Sequence, residues 1–124
     1  MEPLLKTKQD KEEFLTWIAW LMADVLPQGK ESLESREGAY CCLGVACILL
    51  IPEEDLVMFS HRIEGGTPNA QNNAPEWLKN IDKHMKEKVG IDPVTLNDTQ
   101  HKTFPEIGQI IYEAYEEELM AIPD

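Results

Sequence analysis

The sequence predicts one compact domain of the α+β class, mainly α, in which helices surround a buried central helix and a small β hairpin or edge strand lies beside them. Three observations lead there. Apolar residues recur at helical spacing over 14–25 and again over 104–119. Between them Tyr40-Cys-Cys-Leu-Gly-Val-Ala-Cys-Ile-Leu-Leu-Ile51 is apolar on every side, long for a strand and richer in Ala, Leu and Cys than in β-branched residues, so it reads as a helix that other elements must enclose. Residues 56–63, Leu-Val-Met-Phe-Ser-His-Arg-Ile, are short and β-leaning. The 124 residues suit a single folding unit and no linker is long enough to divide them, so the domain is expected to span 1–124.

Taken in order, the first helix is expected from Asp10, an N-cap with Glu13 three residues on, to Pro27. Phe14, Trp17, Ile18, Leu21, Met22 and Val25 make its apolar face, and Trp20 leaves on another side as a second packing surface or a contact with another chain. A polar connector, 28–38, precedes the central helix, where Gly44 costs about 1 kcal/mol relative to alanine and implies a close backbone crossing. After the strand, Glu64-Gly-Gly-Thr-Pro68 reads as a turn and 69–75 as loop. A helix then runs from Asn73 or Ala74 to Gly90, with Pro75 in its first turn, Leu78, Ile81, Met85 and Val89 inward, and Lys79, Lys83, Lys86 and Lys88 as an outer basic face. Leu96-Asn97-Asp98 reads as a tight loop held by side-chain-to-backbone bonds. Thr103-Phe-Pro-Glu106 is a capping box that opens a helix to about Met120, packed through Phe104, Ile107, Ile110, Ile111, Ala114, Tyr115 and Leu119. Glu106, Glu113, Glu116, Glu117 and Glu118 are expected to point outward from it.

Acidic residues outnumber basic ones 23 to 11, for a net charge of −12. Phosphate affinity comes from lysine and arginine, so direct nucleic-acid binding is disfavoured. No apolar run approaches the length of a membrane span, and the start, Met-Glu-Pro-Leu-Leu-Lys, lacks a secretory pattern. Cys41, Cys42 and Cys47 are odd in number and crowded into one apolar stretch, which reads as buried thiols in a reducing cytoplasm rather than a disulfide framework. Their spacing lacks the paired Cys-x-x-Cys of a zinc site, and His61, His84 and His101 are scattered, so neither metal nor cofactor is expected.

Catalysis needs a nucleophile, a base and a charge stabiliser that converge. Among 23 acids chance carboxylate pairs are inevitable, and Glu64-Gly-Gly-Thr67 lacks the spacing and lysine of a phosphate loop. A small cysteine hydrolase could be assembled only from Cys42 or Cys47 with His61 or His101, against the apolar lining of those thiols.

Tyr40-Cys-Cys-Leu-Gly-Val-Ala-Cys47, followed by Ala74-Pro-Glu-Trp-Leu78, Leu96-Asn-Asp98 and Thr103-Phe-Pro-Glu-Ile-Gly108, resembles a family of short, mostly uncharacterised phage and prophage proteins with a Cys-Cys-Leu-Gly-Val motif, a later Leu-Asn-Asp and a Phe-x-x-Ile helix start. The likeness covers residues 14–115 in order. It implies a viral accessory role in the host cytoplasm and supplies no catalytic residues.

Half of the net charge lies in the last 22 residues, which hold six acids and no base. The leading expectation is therefore a non-enzymatic protein that binds and blocks a basic surface of a host protein, a defence or nucleic-acid-handling factor. Glu106, Glu113, Glu116 and Glu117 would supply the charge, with Trp20 and Tyr112 as aromatic anchors. As a mimic of DNA one such helix is too sparse, with one charge per about 3.6 Å of axis against about 1.7 Å in the duplex, unless a second acidic face from Glu31, Glu34, Glu37 and Glu53 to Asp55 joins it or a homodimer doubles the surface. The alternative is a binder that sequesters an anionic signalling nucleotide through Arg36, Arg62, Asn97, Asp98, Lys102 and Thr103.

Overall fold

Helix α1 (Lys8–Ala23) starts earlier than its sequence suggests. In the computed structural model, which describes residues 1–29, 41–51 and 74–124, Thr7 and not Asp10 is the N-cap. The Thr7 hydroxyl accepts from the Asp10 amide at 3.0 Å, and the Asp10 carboxylate accepts from the Lys6 and Thr7 amides at 2.9 and 3.2 Å. A hydroxyl cap answered by an acid at the third position satisfies several orphan donors at once, which is why this register prevails. The helix also stops before Pro27: Asp24 adopts a left-handed conformation (φ 55°) and returns its N–H to the carbonyls of Trp20 and Leu21. Phe14, Trp17, Ile18 and Leu21 are buried, whereas Met22 and Val25, expected on the same face, are 43% and 55% exposed.

Helix α2 (Cys42–Leu50) is the interior rod. Every residue from Cys41 to Cys47, Gly44 included, is buried, and the last turn, Ile48 to Leu50, is half-buried. With no hydroxyl available, Cys41 caps the helix, its sulfur accepting from the Gly44 amide at 3.4 Å. The Trp17 indole donates to the Cys42 carbonyl at 2.8 Å and ties α1 to the start of the rod.

Helix α3 (Glu76–Val89) begins after Pro75, which stands at the N-cap, and ends at Gly90, whose φ of +87° suits a residue without a side chain. Its buried stripe is Trp77, Leu78, Ile81 and Met85, and Val89 is 47% exposed. Eight residues beyond Ile81 the helical period has turned about 80°, which carries Val89 off the buried face, while Trp77 lies one turn before Ile81 and joins it. The ring of Phe14 lies 5.4 to 5.7 Å from those of Trp17, Trp77 and Tyr115, so aromatics from three helices meet at the centre.

Residues 96–98, expected as a tight loop, belong to a short helix, α4 (Pro93–Asp98). Asp92 caps it, accepting from the Thr95 amide at 2.7 Å, and Pro93 occupies the first position, where a missing amide is harmless. Helix α5 (Phe104–Ala121) carries the expected capping box: the Thr103 hydroxyl accepts from the Glu106 amide and the Glu106 carboxylate from the Thr103 amide.

Helices α1 and α5 pack antiparallel. Gly108 abuts Leu21 and Met22, Phe14 meets Tyr115, and the Lys11 ammonium donates to the Ile122 carbonyl at 2.7 Å and pairs with Asp124 at 2.8 Å. The N-terminal segment is folded onto this frame, with Leu4 and Leu5 buried and the Leu5 amide donating to the Glu118 carboxylate at 2.9 Å. His84 lies between the Tyr115 hydroxyl (2.8 Å) and the Glu2 carbonyl (2.7 Å). A carbonyl only accepts, so Nε2 donates to it, while Nδ1 bonds the Tyr115 hydroxyl. The described residues are mainly helical and hold no β-strand; the expected strand at 56–63 and the turn after it lie outside them.

Candidate partner-binding surface

The outer side of α5 is positioned by its capped start, its Gly108 contact with α1 and the burial of Phe104, Ile107, Ile111, Tyr115 and Leu119. That burial orients Glu113, Glu116 and Glu117 into solvent. Glu113 accepts from the Gln109 amide nitrogen at 2.9 Å. No cation among the described residues pairs with any of the three. Tyr112, 37% exposed, lies on the same helix one residue before Glu113.

Other members of the predicted set are elsewhere or otherwise engaged. The Glu106 carboxylate is exposed, but its bonds to the Thr103 amide and hydroxyl hold its pKa below the usual value and make it part of the cap. Trp20 is half-buried against the core, about 160° around α1 from Met22, and does not share a face with Tyr112. Glu118, expected to point outward, is turned inward: its side chain is 10% exposed, takes the Leu5 amide and lies 3.8 Å from the Lys88 ammonium. The basic face of α3 is correspondingly reduced. Lys79 pairs with Glu76 at 3.2 Å and Lys88 lies over the Tyr115 ring at 5.7 Å, leaving Lys83 and Lys86 exposed.

Of the residues of the nucleotide-binding alternative, Asn97, Asp98 and Thr103 make internal bonds. Asn97 is fully buried, donating to the Gly29 carbonyl (2.8 Å) and the Asp98 carboxylate (2.7 Å) and accepting from Gln28 (3.0 Å). The Lys102 carbonyl accepts from the same Gln28 nitrogen at 2.7 Å, and Thr103 is committed to its cap. Arg36 and Arg62 lie outside the described residues. Two cavities, of about 200 and 420 Å³, border the N-terminal segment near His84 and near Lys88, and neither is lined by Asn97, Asp98, Lys102 or Thr103.

All three cysteines are unpaired and buried. Burial pushes the Cys41 thiol up to about 11 and those of Cys42 and Cys47 well above the ordinary value. The Cys42 thiol donates to the Pro93 carbonyl at 3.3 Å. Protonated and enclosed, these sulfurs are poor nucleophiles; of their two candidate histidines, His101 is exposed and His61 lies outside the described residues. Among the described residues no three metal-type side chains cluster, and no helix is long and apolar enough to cross a membrane.

Sequence reasoning missed the inward Glu118 and the exposed Leu15 and Met22. Glu118 adjoins buried Leu119 and follows buried Tyr115 by three, a spacing that put it at the edge of the apolar stripe. No family model, curated protein or solved structure matches the chain.

Proposed function

We propose that this chain is a non-enzymatic accessory protein of phage type that binds a basic surface of a host protein, a defence or nucleic-acid-handling factor, and blocks it. The observation that carries the reading is the outer side of α5, where Glu113, Glu116 and Glu117 stand exposed on a rigid, capped helix with no base anywhere from 103 to 124. Such a surface accelerates encounter with a basic partner and disfavours nucleic acid. The resemblance of its Cys-Cys-Leu-Gly-Val, Leu-Asn-Asp and Phe-x-x-Ile segments to phage proteins supports the biological setting. Nucleotide sequestration has less support, since the Asn97 amide and the Thr103 hydroxyl are engaged in internal bonds.

The test is affinity capture from host lysate with the wild type and with a Glu113→Lys, Glu116→Lys, Glu117→Lys variant. A basic protein retained by the wild type, released as salt rises and lost from the variant is the expected result. An unchanged set of captured proteins refutes the reading.

A further inference from the structure

The partner-binding reading leaves open what shape of partner fits, and a second feature of the same surface narrows it. Lys11 and Met22 both touch α5, the former through the Ile122 carbonyl and the latter at Gly108. Leu15 lies four residues after Lys11 and seven before Met22, so the helical period sets it on the same α5-facing flank of α1. Tyr112 follows Gly108 by four and thus lies one turn along the flank of α5 that faces α1. Because the two helices are antiparallel, Tyr112 falls between Met22 and Leu15 along the seam. These three side chains remain 37%, 43% and 36% exposed respectively.

Acids rim the seam: Glu116 one turn beyond Tyr112, Glu113 beside it, and Glu12 on α1, all exposed. Of the bases on that flank of α1, Lys11 is held by Asp124 and the Ile122 carbonyl, and the exposed Lys8 lies at the far end. We propose that the α1–α5 seam receives an amphipathic basic helix of the partner, whose apolar side chains at i, i+3 or i+4, and i+7 cover Leu15, Tyr112 and Met22 while its flanking lysines or arginines meet Glu12, Glu113 and Glu116. Leu15 to Met22 spans about 10 Å, two turns, which matches the anchor spacing of a helix laid in a groove. A second copy of this chain fits worse, because it would bring the same acids against their own equivalents in a molecule of net charge −12.

This inference rests on the acidic-face reading, and the experiment separates the two. The isotope-labelled protein is titrated, with amide shifts observed by NMR, with two synthetic Leu/Lys peptides of about 18 residues, one with leucines at helical spacing and one of identical composition scrambled. Binding of the patterned peptide at least about tenfold tighter is expected, with shifts centred on Leu15, Met22 and Tyr112 and a loss of about tenfold on Tyr112→Ser or Leu15→Gln. Thermal melts of both variants confirm that they fold. Equal affinity for the two peptides, lost only on Glu113→Lys and Glu116→Lys, overturns the helix proposal and leaves the acidic-face reading standing. Failure of both peptides to bind overturns both. Self-association that Tyr112→Ser abolishes assigns the seam to a second copy and also overturns the proposal.

Discussion

Single atoms decide how closely α1 and α5 approach. A Cβ on Gly108 would lie 3.1 Å from the Met22 sulfur and 3.2 Å from the Leu21 Cβ. The methionine tip can move, but the Leu21 Cβ is fixed to the backbone, so Gly108→Ala trades a helix-propensity gain of about 1 kcal/mol for an overpacking cost of about 1–3 kcal/mol. Net destabilisation of up to about 2 kcal/mol is expected by denaturant titration, and more for Gly108→Val. A rise in stability would show that the pair can separate at no cost. Asp82 offers a second residue-scale test. Burial, and then the nearby charges of Asp92 and Asp98, raise its pKa against the lowering influence of the Val94 amide and Lys86. The folded state therefore holds a proton at Asp82 more tightly than the unfolded chain does, and ionisation at neutral pH costs stability. Asp82→Asn keeps an acceptor for Val94 without the charge, so its melting temperature should exceed wild type at pH 7. The gap should close as pH falls through the raised pKa toward the ordinary value of 3.8, where wild-type Asp82 is itself neutralised. A gap that widens on acidification contradicts the account.

At the scale of the helix, what could be read from sequence was what is written within one turn. Thr103 to Glu106 holds both halves of its box, and the structure repeats it. The same template misled at α1, because Asp10 and Glu13 fit it as well as Thr7 and Asp10 do, and only the structure shows Glu13 spent on the Trp77 indole at 3.0 Å. Asp92 and Pro93 carried a valid start signal for α4, but six residues are too few for a hydrophobic period to reveal a helix. The N-terminal segment could not be anticipated at all. Leu5 finds Glu118 across 113 positions, and no local pattern encodes that pairing. Its importance is testable: Leu5, 2% exposed, should cost about 2–4 kcal/mol on replacement by alanine, a loss in keeping with a core side chain and not with a frayed end. A change below about 0.5 kcal/mol would mean that the segment lies on the surface without contributing to it. The acidic site was legible to the same extent. Exposure of Glu113, Glu116 and Glu117 and the placement of Trp20 on another side of α1 followed from the helical period, whereas the inward turn of Glu118 depends on Leu5 and Lys88, distant in sequence.

For the whole molecule, charge and stability are opposed, and that opposition provides a control on function. At −12 the folded chain repels itself, a term that counterions screen. Raising salt from about 20 to about 300 mM shortens the screening length from roughly 20 Å to roughly 6 Å, so the melting temperature should rise by a few degrees. Attraction to a basic partner is screened over the same range, so binding should weaken as the protein itself becomes more stable. The Glu113→Lys, Glu116→Lys, Glu117→Lys variant halves the net charge to −6 at exposed positions that hold no ion pair. Its melting temperature at low salt should equal or exceed that of wild type, and its dependence on salt should be shallower. Loss of partner binding in a variant that melts no earlier then belongs to the surface and not to unfolding. A triple variant that melts well below wild type at low salt would mean that these glutamates hold the fold together, and the acidic side of α5 would have to be read as structure.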